Sequence, residues 1–219
     1  MFLLTSSITI GDYENVKVHE AVIRTAVRNF INEASLKIPI RARVITPDDL
    51  TAKVLKTSTI FKEGMKVKID LGYNSQNVNE FTGFIARVNF KSPIELVCEG
   101  YSYQLRKMTY PAITFTNSTV KEILQFLIKG TDIVLADVIE HIPIPKLPIS
   151  GQSGVEVLRK MSDLLNNTVL FRFKNNVLSV DFFPLKEESG LVNYYVGWNV
   201  IRSDDLKKRE AQNQDVEVN

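Results

Sequence analysis

Residues 61–74 read FKEGMKVKIDLGYN. Met65, Val67, Ile69 and Leu71 fall on one parity, and Lys66, Lys68 and Asp70 on the other. That two-residue period predicts a strand with one buried face, ended by Gly72-Tyr73-Asn74. A charged outer face on such a strand suits nucleic acid, a sugar or another protein, so the rest of the chain has to decide between them.

Upstream, 16-VKVHEAVIRTAVRNF-30 is long for one strand, and its apolar parity switches at His19-Glu20, which predicts a bulge or bend. In 34-ASLKIPI-40, Leu36, Ile38 and Ile40 alternate, and Pro39 marks an edge strand or a strand end. The segment 46-TPDDL-50 reads as a turn or a short helix start. Downstream, 82-TGFIARVNF-90 places Phe84, Ala86, Val88 and Phe90 on the expected buried face, and 94-IELVCEG-100 follows after Lys91-Ser92-Pro93. Asn74 to Asn79 reads as a polar hairpin loop. Five or six strands in about a hundred residues are enough to close a small barrel.

From residue 117 the period becomes helical. Thr119 with Glu122, and Ser153 with Glu156, form two capping boxes. Val120, Ile123, Leu124, Leu127 and Ile128 make the first apolar stripe; Val157, Leu158, Met161, Leu164 and Leu165 make the second. Gly130 suits a left-handed C-cap, and Asn166-Asn167 ends the second helix. The three prolines of 133-IVLADVIEHIPIPKLPIS-150 predict an extended path that is not a central strand. A hairpin is expected where 168-TVLFRF-173 and 177-VLSVDFF-183 flank Lys174-Asn175-Asn176. The stripes should pack on this hairpin. In the last stretch, Tyr195 to Ile201 reads as a strand, and a new alternation opens at Val216 and Val218, as in an incomplete element.

The composition narrows the function classes. The 219 residues are 44% hydrophobic and 24% charged, ordinary for a globular protein of one large or two small domains. Net charge is +2, from 27 basic and 25 acidic residues, which argues against a dedicated nucleic-acid binder. One cysteine, Cys98, excludes an intrachain disulfide framework, and its phase with Ile94 and Leu96 predicts a buried small residue. His19 and His141 are the only histidines, too few and too far apart for a zinc site. The stretch 151-GQSG-154 precedes a helix but lacks the Lys-Ser/Thr of a phosphate loop. The adjacent Asp204 and Asp205 read as a turn. No catalytic residue, metal ligand or cofactor is expected. The N-terminal MFLLTSSITIG has no basic region and no cleavage motif, so it reads as no secretion signal, and no apolar run suits a membrane span. Arg24, Arg28, Arg41 and Arg43 are expected on a solvated or interface sheet face, and Arg24, Arg28, Lys66, Lys68 and Arg87 are the candidates for a subunit-interface or lumen face.

Four stretches, taken in order, resemble one family: 31-INEASLKIPI-40; 61-FKEGMKVKIDLGYN-74 with 80-EFTGFIARV-88; 94-IELVCEGYSYQLRK-107; and 198-WNVIRSDDLKKRE-210. The chain is similar to the baseplate hub proteins of contractile-tail bacteriophages, the late control protein D family, to which the N-terminal halves of type VI secretion spike proteins are related. The resemblance implies a mainly β, α+β chain. A tube-like antiparallel β-barrel (residues 1–108) would precede a small two-helix α+β domain (109–190) and an incomplete second barrel (191–219). It implies a structural role, as a trimer when full length, between tail tube and central spike. Other baseplate subunits would be partners, and DNA would pass through the lumen without specific binding. Assembly would occur in the host cytoplasm and end in the virion tail. Two other readings remain open at this stage: a small nucleic-acid-binding barrel using Lys66, Lys68, Arg87 and Tyr73, or a carbohydrate-binding or adhesin module.

Overall fold

The computed structural model describes residues 3–26, 28–46, 49–56 and 60–182. They belong to one compact unit, Met1–Leu185. The expectations for Trp198, Asp204, Asp205, Val216 and Val218 lie outside the described residues.

Six strands form one antiparallel sheet in the order β1-β6-β7-β8-β3-β2. They are β1 (Leu4–Ile10), β2 (Glu20–Ala26), β3 (Asn29–Ile38), β6 (Lys66–Tyr73), β7 (Gln76–Asn89) and β8 (Ile94–Glu99). Between β3 and β6, β4 (Arg41–Thr46) and β5 (Asp49–Lys56) make a separate two-stranded ribbon. The alternation of residues 65–71 holds: Val67 and Ile69 are fully buried, with Met65 and Leu71 packed beside them. All six strands feed this one core, led by Ile8, Ile10, Leu36, Ile38, Ile69, Ile85 and Leu96. The sheet therefore curls around its own apolar face, as a tube-like barrel must. Among the described residues it stays open, because no ladder joins the end strands β1 and β2.

Several local readings are corrected by the structure. The segment 16–30 is not one bent strand: residues 11–19 are a connection, β2 follows, and β3 begins at Asn29. The parity switch at His19-Glu20 marks the loop-to-strand boundary. The turn or short helix start expected at 46–50 falls partly outside the described residues, and β4 and β5 on either side pair with each other, a pairing the sequence reading did not find. In β7, the register slips between Ile85 and Arg87. This bulge reverses the parity, so Phe81 and Ile85 enter the barrel core while Phe84 points the other way, and Phe90 is 69% exposed. The loop after β6 is tighter than expected: Asn74 and Ser75, both at positive φ, join Tyr73 directly to Gln76.

Phe84 seeds a second core. Its ring packs on Tyr101 and Tyr103 at 5.3 and 5.6 Å between centroids, at the start of α1 (Ser102–Lys107). Beyond lie β9 (Ile113–Thr119), α2 (Val120–Leu127), β10 (Val134–Leu135), β11 (Pro143–Ile149), α3 (Gly154–Leu164), β12 (Val169–Lys174) and β13 (Val177–Phe182). Both capping boxes form: Thr119 and Ser153 each accept the backbone N–H three residues on, and Glu122 and Glu156 accept the N–H of the cap residue in return. Leu124, Leu127, Leu158 and Met161 are buried with Val169, Phe171, Phe173 and Leu178, so the two stripes do pack with the hairpin. Leu164 departs from its stripe and is exposed. The proline-rich segment supplies β11, which among the described residues pairs only with β9, consistent with an edge position.

Two glycines set the close approaches. A Cβ on Gly83 would lie 2.2 Å from the Glu99 carbonyl oxygen, and one on Gly154 would lie 2.9 Å from Leu105 Cβ, where α3 starts against α1. Here the Glu99 carboxylate accepts from Ser102 Oγ (2.7 Å) and from Arg106 Nε and Nη2 (2.8 and 3.1 Å), pinning α1 to the end of β8.

Candidate assembly interface

The open side of the barrel is the most distinctive surface of this fold. Along β1, Ile8 and Ile10 are buried while Leu4 and Ser6, on the same face, are exposed. A cavity of 700 Å³ lies there, lined by Leu4 and Ser6 of β1, Ile23 and Thr25 of β2, and Leu71 and Tyr73 of β6, among others. The two end strands thus face one another across a gap with partly apolar walls. Leu3, Leu4, Tyr73 and Val78 extend the apolar surface onto the rim.

The main chain of β1 is also unpaired at this end. Asn74 N–H donates to the Leu3 carbonyl and Gly11 N–H to that of Lys66, so odd-numbered residues bond toward β6. Even-numbered residues point outward. For Ile8 and Ile10 these groups are used, because Val16 N–H donates to the Ile8 carbonyl and Ile10 N–H to that of Tyr13. Among the described residues, Leu4 and Ser6 have no backbone partner on that side. Open strand edges of this kind are templates for another chain.

The five basic candidates do not converge. Lys66 and Lys68 share a cleft of 450 Å³ on the outer sheet face, walled by Tyr101 and by Asn175 and Asn176 of the β12–β13 turn. Lys68 Nζ is 2.8 Å from Asp70. Burial pushes the Asp70 carboxyl upward, but hydrogen bonds from Lys68 and Asn79 outweigh it and hold the group below its ordinary range. Lys66 Nζ sits 5.7 Å from the Tyr101 ring centroid. Arg24 stands opposite Glu33 in the β2–β3 register. Arg28 lines a different cleft with Arg159 and Asp163. Arg87 is exposed at the β7 bulge. No continuous basic track results.

Cys98 is fully buried in the barrel core, and burial pushes its thiol up to about 12. His19 and His141 are exposed. Among the described residues, no group of three or more His, Cys, Asp or Glu could hold a metal ion, and no helix is long and apolar enough to cross a membrane.

The curled six-stranded antiparallel sheet and the small α+β body share their fold with solved tail proteins. The chain is similar to the 43 kDa tail protein of prophage MuSo2 from Shewanella oneidensis, with a TM-score of 0.57 and 16% identity over 80% of this chain and 54% of that one. It is similar to the tail protein from Neisseria meningitidis MC58, with a TM-score of 0.55 and 13% identity over 81% and 50%. It also matches the Francisella PdpA-VgrG complex, with a TM-score of 0.51 and 10% identity over 82% and 31%. The chain thus spans about half the length of the two tail proteins. No protein-family model matches the sequence, and no curated protein matches it.

Proposed function

We propose that this chain is a structural component of a phage or prophage tail baseplate hub, adapting the tail tube to the central spike without catalysis of its own. The observation that carries this reading is the match of its fold, over about four fifths of its length, to two prophage or bacterial tail proteins and a spike complex. In this reading residues 1–108 act as the tube-like barrel, 109–190 as the accessory α+β domain and 191–219 as the entry to a second barrel. Tail tube, spike, other baseplate subunits and further copies of itself are the partners. Assembly takes place in the host cytoplasm, and the protein ends in the virion tail.

The open β1–β2 side is the surface by which a neighbouring subunit joins, adding main-chain hydrogen bonds at Leu4 and Ser6 and covering Leu4, Ile23 and Tyr73. The test is Ser6→Pro. Proline removes one outward N–H from an edge strand, where the fold tolerates it. Co-expressed with the adjacent tail genes, Ser6→Pro should unfold at the wild-type midpoint yet fail to enter the assembled complex. Normal incorporation of the variant would remove this face from the interface.

A further inference from the structure

The cleft holding Lys66 and Lys68 has a feature that subunit stacking at the open barrel side does not use. It continues into a second cavity of 200 Å³, because Asn79, Thr82, Tyr101 and Asn175 line both. One wall is the outer sheet face, carrying Lys66; the other is the β12–β13 hairpin, with Lys174 at the end of β12. Neither ammonium group has an ion-pair partner among the described residues. Lys68 is already matched by Asp70, and among the described residues Glu80 is the single carboxylate lining either cavity. Two cations without a direct ion-pair partner among the described residues therefore line one polar trough, which Glu80 also lines on the Lys174 side.

We propose that this trough binds an extended acidic peptide segment of a partner protein, with carboxylates bridging Lys66 on the sheet wall and Lys174 on the hairpin wall. The Asn175 amide between them suits a peptide backbone, which offers both donors and acceptors, whereas Asn79 and Asn176 are already bonded within the fold. Asn175 has no side-chain partner among the described residues. A single-stranded nucleic acid fits less well, because its bases need exposed aromatic faces. The trough's rings, Phe81, Tyr101 and Phe173, are all at least nine-tenths buried. The ligand charge would also strengthen the hold on Lys66, which now has only the Tyr101 ring beneath it.

The test uses the purified chain, so it stands apart from any role in a tail. A fluorescein-labelled octaglutamate peptide is titrated by anisotropy, and amide shifts are mapped by NMR. Saturable binding is expected, with shifts at Thr82, Lys174 and Asn175. Lys66→Ala/Lys174→Ala should weaken it about tenfold or more, as loss of paired charges at an interface does. Lys66→Arg/Lys174→Arg, which keeps both charges, should stay within about threefold. Lys121→Ala, an exposed lysine on α2, should leave it unchanged. Binding that ignores the double alanine substitution, shifts confined to other surfaces, or tighter binding of an octathymidylate of similar charge would overturn the proposal.

Discussion

Arg106 grips Glu99 at two points, Nε to Oε2 at 2.8 Å and Nη2 to Oε1 at 3.1 Å. The carboxylate side chain is only 8% exposed, whereas the guanidinium is 42% exposed. This contact and the Ser102 hydroxyl fix the short helix α1 onto the last residue of β8, where the barrel core gives way to the second core. Arg106→Ala leaves a buried carboxylate with one neutral donor. The expected cost is about 2–3 kcal/mol, below the ~3–5 kcal/mol of a fully buried pair because Arg106 is partly in water. Urea unfolding measures it. Glu99→Gln/Arg106→Ala should recover part of the loss, since no charge is then left unpaired.

The two faces of α3 give an internal contrast. Leu158 is fully buried beside Val169 and Phe171, while Leu164 is 51% exposed. Leu158→Ala should cost about 2–5 kcal/mol. Leu164→Ala should cost under about 0.5 kcal/mol, as surface changes do. The same unfolding series reads both.

The capping boxes predict an acid response. Backbone hydrogen bonds from Thr119 and Ser153 hold the Glu122 and Glu156 carboxyls below their ordinary value of 4.5. A carboxylate with a lowered folded-state pKa contributes stability above its unfolded value and loses it as pH falls through the folded one. The expected outcome is a smaller drop in denaturation midpoint between pH 7 and pH 3 for Glu122→Gln/Glu156→Gln than for the wild type. At neutral pH, Ser153→Ala should cost about 1 kcal/mol through loss of the N-cap.

Cys98 should be silent in the folded protein. With its thiol pushed up to about 12 by burial, almost no thiolate exists at pH 8. A thiol-reactive disulfide reagent should label it only as fast as the barrel opens, and at once in denaturant.

Much of this architecture was legible because simple periods survive in the sequence. Residues 65–71 alternate without interruption, so their buried face could be read directly. Both helices announce themselves through capping boxes whose geometry is local. What escaped was set by contacts distant in sequence. The β7 bulge flips Phe84 toward Tyr101 and Tyr103, and nothing in TGFIARVNF marks that slip. The β9–β11 pairing brings Thr119 to Pro143 across two other elements. The Glu99–Arg106 contact depends on α1, a helix too short to show a period. Basic residues chosen for outward parity were scattered over separate clefts, and the open edge at Leu4 and Ser6 arises from which strands end the sheet, a property of topology.

The most direct test of the hub reading is cryo-electron microscopy of a tail particle that incorporates this chain. The account places the curled sheet at the junction of tail tube and spike, with a neighbouring subunit's backbone paired along Leu4 and Ser6 and its side chains filling the 700 Å³ cavity between β1 and β2. Finding the chain elsewhere in the particle, or finding that cavity facing solvent in the assembled tail, would contradict it.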